Sequence, residues 1–198
     1  MILTRRAAIV LAIILMAALA AVSVQAQQHV LVLDPQASKV TFTLKATGHV
    51  VEGGLALQSG RIAFDPATGA ASGEIAIDLK SAQTDNKSRD QKMHEEVLET
   101  KKHPLAVFRV EKFRGTLPTS GTGQGTLDGT LSLHGSDHKM SLPAKLEVKD
   151  GRIEAVTQFE IPYVEWGLND PSVVMLRVAK VVTVTVRAEG TLEAASAD

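Results

Sequence analysis

The sequence predicts an all-β antiparallel sandwich or barrel carrying one short helix. Three observations support this. Apolar and polar residues alternate strictly along several segments, the period of a half-buried strand. Turn-forming clusters rich in Gly, Pro, Asp and Ser separate those segments. One segment alone, after Ser88, departs from the period of two.

The strands follow in chain order. A first apolar run covers 29–33. Val40, Phe42 and Leu44 then alternate with Lys39, Thr41, Thr43 and Lys45, and two further runs cover 50–58 and 60–64. Asp65-Pro66-Ala67-Thr68-Gly69 is a turn, after which Ile75, Ile77 and Leu79 alternate with Glu74, Ala76 and Asp78. Strands are expected again near 105–113, 124–133, 140–148, 152–161 and 175–189. In the last of these, Val182, Val184 and Val186 alternate with Thr183, Thr185 and Arg187. His134-Gly135 and Asp150-Gly151 punctuate these runs, and the second is a tight-hairpin signal.

Ser88 followed three residues on by Gln91 reads as a capping box, predicting a helix over about 89–100 that Pro104 cannot prolong. Within it, Met93-His94-Glu95-Glu96-Val97-Leu98 begins like a zinc-protease helix. That chemistry needs a second His four residues after the first, so that both imidazoles reach one metal, and position 98 is Leu. At 100° per residue, Met93, Val97 and Leu98 form an apolar stripe shared with His94 and Asp90, while Glu95, Glu96 and Glu99 turn away. The stripe is expected to rest on the β-structure with His94 hydrogen-bonded at its margin. No metal site is expected. Arg89 and Asp90 are expected to anchor the helix start by ion pairing, with the aspartate at the positive end of the helix dipole.

The N-terminal 26 residues read as an export leader. Arg5 and Arg6 precede an apolar run from Ala7 to Val24, and Val24-Gln25-Ala26 is a small-residue cleavage pattern. The run is about long enough to span a bilayer, which needs roughly 20 residues. The cleavage pattern and the polar residues after it favour removal after Ala26. A single domain over 27–190 and a fraying tail over 191–198 are then expected, in the periplasm of a bacterial cell. The 21 Lys+Arg against 22 Asp+Glu give a net charge of −1, and losing Arg5 and Arg6 makes the mature chain slightly more acidic, so nucleic acid is not an expected partner. With no cysteine, disulfides, thiol nucleophiles and thiolate metal sites are excluded. Neither G-x-S-x-G nor G-x-x-x-x-G-K-[ST] occurs, so neither a serine-hydrolase elbow nor a phosphate loop is indicated.

The inward-alternating positions are aliphatic or Phe. They include Phe42, Leu44, Ile62, Phe64, Ile77 and Leu79, with Phe108, Leu133, Phe159 and Ile161 later in the chain. Periodicity alone leaves open whether they fill a core or line a cavity.

Several motifs occurring in order resemble the YceI-like family. These are Asp34-Pro35, Ser38-x-Val40-x-Phe42 and Gly60-x-Ile62-x-Phe64-Asp65-Pro66. They continue with Thr84 and Arg89-Asp90 leading into a helix, Pro104-x-x-x-Phe108, Leu131-x-Leu133-His134-Gly135 and Trp166-Gly167-Leu168. The chain departs from the family pattern at Leu31-Val32-Leu33, where an aromatic is common, and at Val97-Leu98-Glu99, where a Phe-Phe-Asp-like segment is usual. The resemblance implies an eight-stranded, lipocalin-like antiparallel barrel with the helix beside it. It also implies an apolar interior holding an isoprenoid lipid or quinone, without catalysis and without a further cofactor. The ligand would then meet the ten positions above together with Met93, Val97 and Trp166. Transient membrane contact and a monomeric or homodimeric state are expected. The competing readings are a secreted metal-dependent enzyme using His94 and His103, and a structural β-domain with a solid core.

Overall fold

The computed structural model describes residues 29–65 and 68–194. The leader expected over 1–26 and the end of the chain after Ala194 lie outside the described residues. Nine strands form one antiparallel sheet closed on itself. They are β1 (His29–Leu33), β2 (Lys39–Ala46), β3 (His49–Phe64), β4 (Ala70–Gln83), β5 (Leu105–Gly115), β6 (Gly121–Leu133), β7 (Ser136–Lys149), β8 (Arg152–Ile161) and β9 (Val182–Ala194).

The expected eight-stranded barrel is present, because two of the nine strands share one stave. β1 and β2 both run antiparallel to β3 on one side and to β9 on the other. They lie end to end, interrupted by a turn over 34–38 in which the Asp34 carboxylate accepts from the Gln36 amide at 2.8 Å. The remaining staves follow in chain order, β3 through β9, each hydrogen-bonded to the next. No stave is left as an unpaired edge, so the ladder satisfies backbone groups that an open sheet would expose.

The tight turns have the backbone their residues demand. His134-Gly135 (φ 52° and 81°) joins Leu133 to Ser136, and Asp150-Gly151 (φ 51° and 75°) joins Lys149 to Arg152. Both central residues are left-handed, as a two-residue turn matched to strand twist requires.

Several boundaries differ from the sequence expectation. The runs 50–58 and 60–64 are one strand, β3, bent by irregularities between Gly54 and Ala56 and between Leu57 and Ser59. The strand expected from 175 begins only at Val182, and the tail expected to fray after Gly190 instead continues β9, pairing Thr191–Ala194 with β1. The helix starts earlier and ends sooner. Helix α1 covers Lys87–Lys92 and continues into a π-helical turn, Met93–Val97. Asn86, not Ser88, is the N-cap, its side-chain oxygen accepting from the Arg89 amide at 3.0 Å. Residue Glu99 (φ 45°) ends the helical stretch in the left-handed region.

The barrel is filled at one end. Leu31, Phe64, Val110, Leu146, Val148 and Ile153 are buried around the end that carries β1 and the 150–151 turn. The opposite end carries the turns at 47–48 and 134–135, helix α1 and the 162–181 connection. Towards that end, Phe42 on β2 lies across its cross-strand partner Gly53, where a Cβ would sit 2.2 Å from the ring Cζ and 2.6 Å from the Gln83 carbonyl. Gly53→Ala is therefore expected to destabilise the fold by about 1–3 kcal/mol through overpacking, read by chemical denaturation.

Candidate functional site

A cavity of about 550 Å³ occupies the open half of the barrel. Its walls come from the inward faces of the strands. Phe42 and Leu44 contribute from β2, Ile77 and Leu79 from β4, Leu133 from β6, and Phe159 and Ile161 from β8. The helical segment closes one side with Met93, Val97 and Leu98. The i→i+5 bond from the Leu98 amide to the Met93 carbonyl (2.8 Å) widens the last turn and brings Val97 and Leu98 together onto the cavity. Polar lining is confined to a few residues, including Thr84 just before helix α1 and Ser88, Arg89 and Lys92 within it.

Nine of the thirteen sequence-predicted positions thus meet in the cavity wall, and four do not. Ile62, Phe64 and Phe108 are buried in the packed core instead, because alternation specifies the inward face but not the depth along the barrel. Trp166 lies at the open end, stacked face to face on His138 of β7 (ring centroids 3.8 Å apart, planes 6° apart), and does not line the cavity. Sequence reasoning missed Val182, Val184 and Val186 of β9 and Val51 and Leu55 of β3 as wall residues. The alternation in β9 was the signal available for its three.

The 162–181 connection forms the rest of the mouth. Tyr163 and Leu168 are buried against the core, and the Tyr163 hydroxyl donates to the Ala179 carbonyl at 2.9 Å, holding the two ends of the connection together. Burial, reinforced by the charge of Asp170, pushes the Tyr163 hydroxyl up to about 12. It stays a neutral donor across the physiological range.

The helix start is held by side chains. The Asp90 carboxylate accepts from the Thr84 amide (2.9 Å) and hydroxyl (2.5 Å), and Arg89 pairs with Asp85. Arg89 forms the anticipated ion pair, with Asp85, whereas Asp90 anchors the helix start through Thr84, whose hydroxyl also accepts from the Arg89 Nε at 3.1 Å. His94 is a structural link. Its Nε2 faces the Ala82 carbonyl at 2.8 Å and its Nδ1 faces the Thr100 hydroxyl at 3.3 Å, a pattern met by a neutral ring donating from Nε2 and accepting at Nδ1.

A separate grouping lies beside the helix end. Glu99, His103 and His134 each offer one ligand atom, all within 4.8 Å of one another. His134 Nε2 is 2.9 Å from one Glu99 oxygen, and Lys102 holds the other at 2.5 Å. The Lys102 hydrogen bond, with His134 assisting, keeps the Glu99 carboxyl below its usual range. None of the three lines the cavity, and His94, considered with His103 from sequence, is outside the grouping, its ring nitrogens facing Ala82 and Thr100.

The family model described as YceI-like domain matches residues 31–190. The chain belongs to the YceI-like family. A search of the curated proteins finds no match. Among solved structures, Burkholderia cenocepacia BcnA shares 21% identity at a TM-score of 0.66, over 80% of this chain and 99% of that one. A polyisoprenoid binding domain from Saccharophagus degradans, implicated in plant cell wall breakdown, shares 17% identity at a TM-score of 0.66, over 82% and 98%. The Campylobacter jejuni YceI protein shares 21% identity at a TM-score of 0.54, over 67% and 80%. At these identities the shared feature is the YceI-like barrel itself.

Two outcomes follow for this YceI-like mouth. Tyr163→Phe leaves the Ala179 carbonyl without its donor and should cost about 1–3 kcal/mol. The wild-type phenol ionises near its ordinary value of 10 when unfolded but only near 12 when folded, so its contribution is full below pH 10 and is lost as pH rises towards 12. The stability gap between wild type and variant should accordingly narrow above pH 10 in denaturation curves. Separately, if the helical segment covers a bound ligand, amides of 87–98 should exchange faster in ligand-free than in ligand-bound protein while those of the strands change little. Equal protection in the two forms would reduce the segment to scaffold.

Proposed function

We infer that the mature protein is a periplasmic carrier or sequestering protein for a long-chain isoprenoid, a polyprenyl lipid or quinone, and that it performs no catalysis. The observation that carries this reading is the cavity. Its wall is almost wholly aliphatic and aromatic, it lies within a closed barrel, and its size falls within the roughly 300–1,000 Å³ usual for small-molecule sites. Each methylene moved from water into such a wall contributes about 0.8 kcal/mol, so affinity grows with chain length and needs few polar contacts. The barrel of the Saccharophagus degradans polyisoprenoid binding domain supports the isoprenoid class. The leader pattern over 1–26 supports export.

Organic extraction and mass spectrometry of the purified mature protein should recover an isoprenoid. Ile77→Asp places an unpaired carboxylate in the wall and should abolish lipid recovery while lowering stability. A wild-type protein that carries no lipid and shows a solid core on crystallography would overturn the reading. The Glu99, His103 and His134 grouping favours a metal-dependent enzyme as the second reading. Metal analysis of the same preparation tests it. Stoichiometric zinc lost on His134→Ala would support it.

A further inference from the structure

Among the described residues, the large apolar side chains that face solvent all gather at the open end. Val50 is 53% exposed, Val173 52%, Val174 89%, Met175 89%, Leu176 37% and Val181 38%. A concentration of this kind at one end of a molecule marks an interaction surface. Val173 and Leu176 also line the cavity, so the patch is continuous with the cavity wall.

The outward tip is built, not frayed. The Val173 amide donates to the Leu176 carbonyl (2.9 Å) and the Leu176 amide to the Val173 carbonyl (3.1 Å), closing a two-residue turn that lifts Val174 and Met175 into solvent. Below the turn, the Thr47 amide donates to the Arg177 carbonyl (2.9 Å) and the Arg177 amide to the Thr47 hydroxyl (3.0 Å). Val178 bridges Ala46, and its amide donates to the Ser172 hydroxyl at 3.0 Å. Nothing in these hydrogen bonds requires apolar residues at 174 and 175.

The charge around the tip runs against that of the whole chain. The net charge is −1, yet Lys45, the cross-strand partner of Val50, with Arg177 and Lys180, which follow the turn in sequence, place three cations at the patch against Glu52, on the strand face of Val50, and Asp170, which Lys180 faces at 4.0 Å. An apolar tip flanked by more cations than anions suits the boundary between acyl chains and anionic headgroups, where burial of apolar area and attraction to negative lipid add together.

We propose that the Val173–Leu176 turn, with Val50 and Val181 beside it, docks the mouth of the barrel onto an anionic lipid membrane. The tip enters the headgroup layer, and the bound chain passes between bilayer and cavity along Val173 and Leu176 without crossing water. This rests on the reading that the cavity holds a lipid.

The absence of native cysteine permits a direct test on the mature protein. An environment-sensitive dye on Met175→Cys should shift to the blue with phosphatidylethanolamine–phosphatidylglycerol vesicles. The same dye on Ser120→Cys, at the packed end, should not. In flotation, the double variant Val174→Glu, Met175→Glu should lose vesicle binding at least tenfold. Its melting curve should match wild type, because the two side chains bury almost nothing. Unchanged vesicle binding by the double variant overturns the proposal. A dye shift at 175 that follows protein concentration without vesicles also overturns it, assigning the patch to a second copy of the chain. Lipid extraction reads the cavity independently, so an empty cavity with intact tip insertion overturns the carrier reading alone.

Discussion

Closure of the sheet is the constraint on which this structure depends. β9 pairs with β8 on one side and with both β1 and β2 on the other, and every stave is thereby bonded on both edges. A ring of eight staves encloses a space just wide enough to be filled by side chains or to hold one ligand. Here both outcomes occur in one barrel. Larger side chains such as Phe64, Phe108 and Leu146 fill the packed end, and the open half retains a cavity because its covering comes from outside the sheet.

That covering is made of two segments with different supports. Helix α1 and its π turn are held at their start by Asn86 and Asp90, and in the turn by His94 against Ala82 and Thr100. The 162–181 connection is held by Tyr163 and by its pairing with the β2–β3 turn. A helical stretch this short has little stability alone and must rest on the barrel. The cover thus depends on the barrel, while the wall beneath is held by its own closed ladder of hydrogen bonds.

Much of the fold was legible in the residues. β1 and β8 occupy the spans expected of them from sequence, and Asp150-Gly151 forms the turn that its composition demands. The misreadings have physical causes. Val173-Val174-Met175-Leu176 has the composition of a buried strand and no turn-forming residue, yet its own paired amides close a turn. Ser88 and Gln91 imitate a capping box, but Asn86 takes the cap and Ser88 is drawn to the cavity mouth. The site was legible in part. Phe42 and Phe64 share an inward face by alternation, and only the three-dimensional register places the first at the cavity and the second in the core.

The pairing of His29 with Ala194 has a kinetic consequence. The β3 to β8 staves are joined mostly by short connections and can associate locally, whereas the last contact of the ring joins the two ends of the described chain. Non-local pairing of this kind carries a large loop-closure cost and slows folding. An exported chain would thread through the membrane from its first residue to its last, so the strand completing the ring would also be the last to arrive. Until it does, the apolar wall faces water at a gap between β8 and the stave shared by β1 and β2, and the unclosed sheet offers two free edges to any neighbouring chain.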